Sequence, residues 1–289
     1  MEPSPKHPQL REYFQQRILA GLKLFHKPLA GQSFFEKLLN FLPFFKKAPG
    51  YKLLYIYNMG FLLKTGMGII AFDLVSTRKV WGLNWSLPDS FLEALTEHID
   101  MAFYSHFHPD HSDPEIMELL LSRKKPVIIP GWDWTNFPGA CTRHFPGKRN
   151  EIQLAKEKII IDTWKGLHVY QKTVELPLAV YEITFPCGYT LLHAGDHDYT
   201  RSLAERHADK IDLLIMKYGG ISPKIKDEEA ASIAIERFNP GRVVLCHLQE
   251  LGHPPKGGRL PFTDALRFKN SFSTPVMQVP FWGEFICLD

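Results

Sequence analysis

Residues 105–111 read "SHFHPDH", three histidines and an aspartate within seven positions. The apolar run "IDMAFYS" leads into them as a strand. Ser112-Asp113-Pro114-Glu115 then reads as a helix start, with a capping residue, a proline in the first turn and an acid. His106, His108, Asp110 and His111 therefore occupy a loop held by a strand on one side and a helix on the other. Residues two apart at a strand end can face the same way, so His106 and His108 can share one cation while Asp110 and His111 turn toward another. Imidazole and carboxylate suit zinc and similar ions, but a closed site needs donors from elsewhere in the chain.

Three such donors stand in or just after short apolar runs. His168 lies in "GLHVYQ", Asp196 follows "LLHAG", and His247 ends "RVVLCH". Around them the texture alternates. "KLLYIYNM", "GFLLKTG" and "GIIAFDLV" read as strands joined by glycine turns, followed by a helix at "PDSFLEALTEH" and, after the histidine loop, another at "DPEIMELLLSRKK" and a strand at "KPVIIP". "KIIIDTW", "GLHVYQK", "LAVYEITF" and "YTLLHAG" form a second set of strands, then "DLLIMKY", a helix at "DEEAASIAIERF", and "RVVLCH". Strands and helices, then strands and helices again, suggest an α/β chain with two sheets packed face to face and helices outside.

The 289 residues carry a formal net charge of +3, too small a surplus for the strongly basic face of a nucleic-acid binder. The four cysteines form no CxxC pair, which argues against a disulfide framework and for a reducing compartment. The opening "MEPSPKHPQL" lacks a signal-peptide pattern and no apolar stretch is long enough to span a membrane, so a cytoplasmic location is expected. Residues 1–50 form a separate amphipathic helical extension ahead of a main domain at 51–289. Within residues 9–47, Phe34, Phe35, Leu38, Leu39, Phe41, Leu42 and Phe45 share one helical face. Such a stripe packs on the main domain or on a second copy in a homo-oligomer; a lid or a peripheral membrane contact is the other use.

The whole set, His106-x-His108-x-Asp110-His111, His168, Gly195-Asp196 and His247, resembles the metallo-β-lactamase superfamily in order, spacing and strand-end placement. The resemblance implies a four-layer αββα sandwich. It implies that His106, His108 and His168 hold one divalent cation, that Asp110, His111 and His247 hold a second, and that Asp196 bridges both. Zn²⁺ is the expected metal and Mn²⁺ the next, ahead of iron, because oxygen-reducing di-iron members carry a glutamate where this chain has His108. The implied chemistry is hydrolysis, with water activated between the two cations and Asp110 accepting a proton. No GxSxG or activated cysteine offers a competing nucleophile.

"YSHFHPDHSD", "LLHAGDHDY" and "KYGGISPKIKDEEAASIAI" are most similar to the branch of ascorbate-phosphate lactonases and phospholipase-D-like acylethanolamine enzymes. The phospholipase's His-Trp-Gly stretch is replaced here by "CHLQEL", which leaves a phosphodiester or lactone-type ester, small or lipid-like, as the expected substrate. Two other readings stay open: a mononuclear-iron thiol or persulfide dioxygenase, and a membrane-docked binding protein with a structural metal site. Beyond the ligands, the resemblance implies that Asp73 and Asp100 brace the ligand loops. His197 and His253 are candidates to touch substrate or support the ligands. In "PGWDWTNFPGACTRHFPGKRN", Trp132 and Trp134 offer an apolar pocket wall and Arg143 an anion contact.

Overall fold

The computed structural model describes residues 50–77, 86–87, 89–132, 139–170, 174–201, 203, 210–219, 221, 224–248, 261–280 and 284–288. The N-terminal helical extension, Trp134 and His253 lie outside the described residues. Among the described residues, no helix is long and apolar enough to cross a membrane.

Two seven-stranded sheets make the body. The first contains β1 (Lys52–Tyr57), β2 (Gly60–Lys64), β3 (Ile69–Phe72), β4 (Met101–Phe103), β5 (Val127–Pro130) and β6 (Thr142–His144), with β14 (Phe285–Cys287) added beside β1. The second contains β7 (Arg149–Leu154), β8 (Glu157–Tyr170), β9 (Val174–Thr184), β10 (Thr190–His193), β11 (Ile211–Lys217), β12 (Pro240–Cys246) and β13 (Val276–Gln278) in consecutive spatial order. Helices α1 (Asp89–His98) and α2 (Pro114–Ser122) follow β3 and β4; α3 (Asp227–Phe238) and α4 (Pro261–Asn270) follow β11 and β12.

Side-chain alternation along the strands sorts residues into layers. On β11, Leu213 and Ile215 face the interior between the sheets, while Leu214 and Met216 face outward onto the helix layer. On β12, Val244 and Cys246 point in and Val243 and Leu245 point out. The outward set is covered by Ala230, Ala231, Ala234 and Phe238 of α3 and by Phe262, Ala265 and Phe268 of α4. On the opposite flank, Phe91, Leu92 and Leu95 of α1 and Ile116, Met117 and Leu120 of α2 join the core of the first sheet. The result is helix, sheet, sheet, helix: the expected αββα sandwich.

Two readings of the strands need correction. "KIIIDTW" and "GLHVYQK" are not separate strands but one 14-residue strand, β8, continuous through Gly166. A Cβ at Gly166 would stand 2.9 Å from Val180 Cγ2 and 3.0 Å from Leu178 Cδ1, so the glycine serves close packing against β9 rather than a turn. The segment read as a pocket-wall loop carries two more strands, β6 and β7.

The strands β3 to β6 are parallel, as are β10 to β13. Parallel strands bring their C-terminal ends to one edge, where open α/β sheets place ligand sites. The ends of β3, β4, β10, β11 and β12 carry Asp73, the histidine loop, Gly195-Asp196, Lys217 and His247.

A candidate dinuclear metal centre

The histidine loop is fixed at both ends. At the helix side, Asp113 caps α2 by accepting a hydrogen bond from the Glu115 amide, with Pro114 in the first turn. At the strand side, the Ala179 amide of β9 donates to the Ser105 carbonyl at 2.8 Å, tying the loop to the second sheet.

The donor atoms gather in three overlapping groups: His106, His108 and His168; His106, His111 and Asp196; and Asp110, His111 and His247, each with its ligand atoms within 4.8 Å of one another. His111 Nε2 lies 3.3 Å from Asp110 Oδ2 and 3.2 Å from Asp196 Oδ1. His247 Nε2 lies 3.2 Å and 3.5 Å from the same two oxygens. Donors placed about 2.0–2.2 Å from a tetrahedral ion stand about 3.3–3.6 Å apart, so these four separations fit the edges of one coordination shell. The other oxygen of Asp196, Oδ2, lies 3.6 Å from His168 Nε2. Asp196 thus offers Oδ1 to one group and Oδ2 to the other, the arrangement a bridging carboxylate requires. The residues present fit divalent cations.

The protonation states agree with this use. Burial pushes the pKa of His106 well down, that of His108 to about 4 and that of His168 to about 3, which favours the neutral ring that a cation requires. Burial acts the same way on His111, but Asp196 and Asp110 overcome it and raise its pKa well above the usual histidine range. A proton there occupies the position between two carboxylates that a cation would take. Burial would raise Asp110 and Asp196, yet the neighbouring basic side chains hold both well below the usual carboxylate range. For Asp110 these are His111 and His247; for Asp196 they are His247, Lys217 and His111.

Asp73 sets the tautomers. Its Oδ1 accepts from the Ser105 amide at 2.7 Å, and its Oδ2 accepts from Ser105 Oγ at 2.7 Å and from His111 Nδ1 at 2.9 Å. Because the Ser105 hydroxyl gives its hydrogen to Asp73, it can only accept from His106 Nδ1, 3.0 Å away. Both rings then carry hydrogen on Nδ1 and present Nε2 to the centre, the carboxylate–histidine–metal pattern. Asp100, expected to do similar work, does not. It lies at the start of β4, the far end from the histidine loop, where it accepts from the Ile69 amide at 2.9 Å and pairs with Lys125 at 3.7 Å.

The remaining candidates divide. His197 is buried and its Nδ1 accepts from the Leu167 amide at 3.1 Å, bracing β8 beside His168 rather than facing a substrate. Trp132 packs against the main core, and Arg143 is exposed on β6, two strands from β4.

Two residues that the sequence reading passed over join the centre. Asn58, in the β1–β2 turn, donates from Nδ2 to Asp110 Oδ2 at 2.9 Å and to the Asp110 carbonyl at 3.2 Å, while its own carbonyl accepts from the His247 amide at 3.2 Å. Lys217, buried at the end of β11, donates to Asp196 Oδ2 at 3.1 Å. The only signal in the sequence was a charge closing the apolar run "DLLIMK" and an asparagine in a hairpin turn. Asn58, Asp73, Gly195 and His247 all have left-handed backbones, with φ of 56°, 42°, 52° and 60°. Such conformations cost a non-glycine residue about 1 kcal/mol and concentrate where side chains must be aimed.

No protein-family model and no curated protein matches the chain. Solved structures do. The metallo hydrolase Igni18 from the hyperthermophilic archaeon Ignicoccus hospitalis aligns over 82% of this chain and 97% of its own, with 18% identity and a TM-score of 0.57. YhfI from Bacillus subtilis, a metallo-β-lactamase fold protein, aligns over 82% of this chain and 99% of its own, at 16% identity and a TM-score of 0.53. CmlA from Streptomyces venezuelae, a diiron β-hydroxylase, aligns over 83% of this chain and 55% of its own, at 12% identity and a TM-score of 0.52. At these identities the likeness defines the fold, and this chain has the metallo-β-lactamase fold. Hydrolase and hydroxylase share it, so the reaction has to be argued from the side chains.

Proposed function

We propose that this chain is a metal-dependent hydrolase whose dinuclear centre acts on a phosphodiester or a lactone-type ester. The observation that carries the reading is the division of Asp196, with Oδ1 on the Asp110–His111–His247 group and Oδ2 on the His168 group. Five imidazoles and two carboxylates favour zinc, with manganese next; oxygen-activating di-iron sites are richer in carboxylate. Bound divalent cations supply Lewis acidity and lower the pKa of water.

The chain's own groups do the rest. Asp73 holds His106 and His111 in the metal-binding tautomer, and Asn58 fixes the carboxylate of Asp110. Asp110 Oδ2 is engaged by Asn58, His111 and His247, which leaves Oδ1 to receive the proton released when water attacks. Its depressed pKa makes that a passing transfer rather than a resting state.

The test is metal content per chain by mass spectrometry, together with hydrolysis of bis(p-nitrophenyl) phosphate and of a panel of lactones. About two zinc or manganese ions with turnover that Asp196→Ala abolishes are expected. One iron per chain with thiol oxidation would overturn the reading in favour of sulfur chemistry. Ions bound without turnover of any ester would leave a structural metal site.

A further inference from the structure

Lys217 sets the two halves of the centre apart. Its Nζ lies 3.1 Å from Asp196 Oδ2, and both side chains are buried. Among the described residues, the side chains paired with Asp196 Oδ1 are two histidines, His111 at 3.2 Å and His247 at 3.5 Å, and no lysine or arginine. A second asymmetry runs the same way. The half containing Oδ1 has a carboxylate of its own in Asp110, whereas the half containing Oδ2 has three imidazoles, His106, His108 and His168, and no second carboxylate in its group.

We infer that Lys217 makes the centre load unequally. The Asp110–His111–His247 half takes the first cation tightly, and the His106–His108–His168 half holds the second weakly and exchangeably. The inference rests on the metal-centre reading above and adds to it a residue that controls loading. The physical cause is that a buried ammonium hydrogen-bonded to Oδ2 withdraws electron density from that oxygen and repels a cation placed against it, with little water between to screen the repulsion.

The experiment titrates the metal-free full chain with Zn²⁺ in competition with a chelator and reads stoichiometry and both affinities; Co²⁺ absorption identifies which half fills first. The wild type should bind two ions with affinities at least ~10-fold apart. Lys217→Met should tighten the weaker ion by ~10-fold or more and leave the tighter one unchanged, and Lys217→Arg should restore the gap. Two equal ions in the wild type would overturn the inference. So would a Lys217→Met chain, folded by circular dichroism, whose weaker ion is unchanged or lost. If Lys217→Met does not fold, His168→Ala decides: it must lose only the weaker ion, and loss of the tighter one overturns the assignment. A wild type that binds no ion at all sinks the hydrolase reading itself, a result distinct from two ions bound equally.

Discussion

Asp73 shows how much of the centre depends on one carboxylate that would touch no cation. It accepts three hydrogen bonds, from the Ser105 amide, the Ser105 hydroxyl and His111 Nδ1, and through them it fixes which nitrogen of His106 and His111 faces the site. Asp73→Asn keeps the shape but loses the charge and one acceptor oxygen. Zinc affinity should fall ~10–100-fold by chelator competition while the circular dichroism spectrum stays the same; unchanged affinity would dismiss the tautomer argument. Gly195 makes the complementary case for space. Its φ is 52°, and a Cβ at this position would fall 2.9 Å from both Cβ and Oγ of Ser105, so Gly195→Ala pushes Asp196 away from the loop it must meet. Urea denaturation should show a loss of about 2–3 kcal/mol, and an unaltered midpoint would mean the backbone yields there at no cost.

At the scale of elements, the histidine loop was legible as a loop between a strand and a helix because its signals are contiguous: "SHFHPDHSDPE" contains the strand exit, the clustered histidines and aspartate, and the helix cap in one stretch. Residues whose importance arises only through pairing were not legible. Lys217 and Asn58 are single polar groups on strands or turns far apart in sequence, and parallel pairing of β10 with β11 brings the Lys217 end beside Asp196. β7 was missed because "RNEIQL" is an exposed, polar edge strand with no apolar run to announce it. The cap that starts α2 also ties two elements together, since Asp113 Oδ1 accepts from the Glu115 amide at 3.0 Å and Oδ2 accepts from the Ser76 amide at 2.6 Å. Asp113→Ala removes the cap and leaves a buried amide unpaired. The expected cost is about 2–4 kcal/mol by urea denaturation, with weaker zinc binding because the loop ahead of α2 loosens. Full stability in that variant would show that Ser112 or water replaces the cap.

The sandwich as a whole was readable from the order of strands and helices, because each sheet face needs a cover and only a layered arrangement supplies two. What that order does not show is the consequence of converging so many histidines on one buried edge. Burial holds His108, His144 and His197 at about 4 and His168 at about 3, and it lowers His106 and His193 as well. A depressed folded-state pKa means that the unfolded chain takes up protons first. The stability these groups contribute is therefore complete above about pH 6.5 and is lost as pH falls toward 4 and 3. His111, raised by Asp196 and Asp110, works in the opposite direction, its contribution being present below pH 6.5 and lost as pH rises through its folded value. The depressed rings outnumber it, so the metal-free protein should weaken on acidification. A group moved from 6.5 to about 4 accounts for about 2 kcal/mol at pH 5. Urea midpoints of the metal-free chain should accordingly fall steadily from pH 7.5 to pH 5. His144→Gln, which removes one such ring from β6, should make the slope shallower. A midpoint constant across that range would mean that these rings are solvated in the metal-free chain, and that the edge is held closed only by the cations it binds.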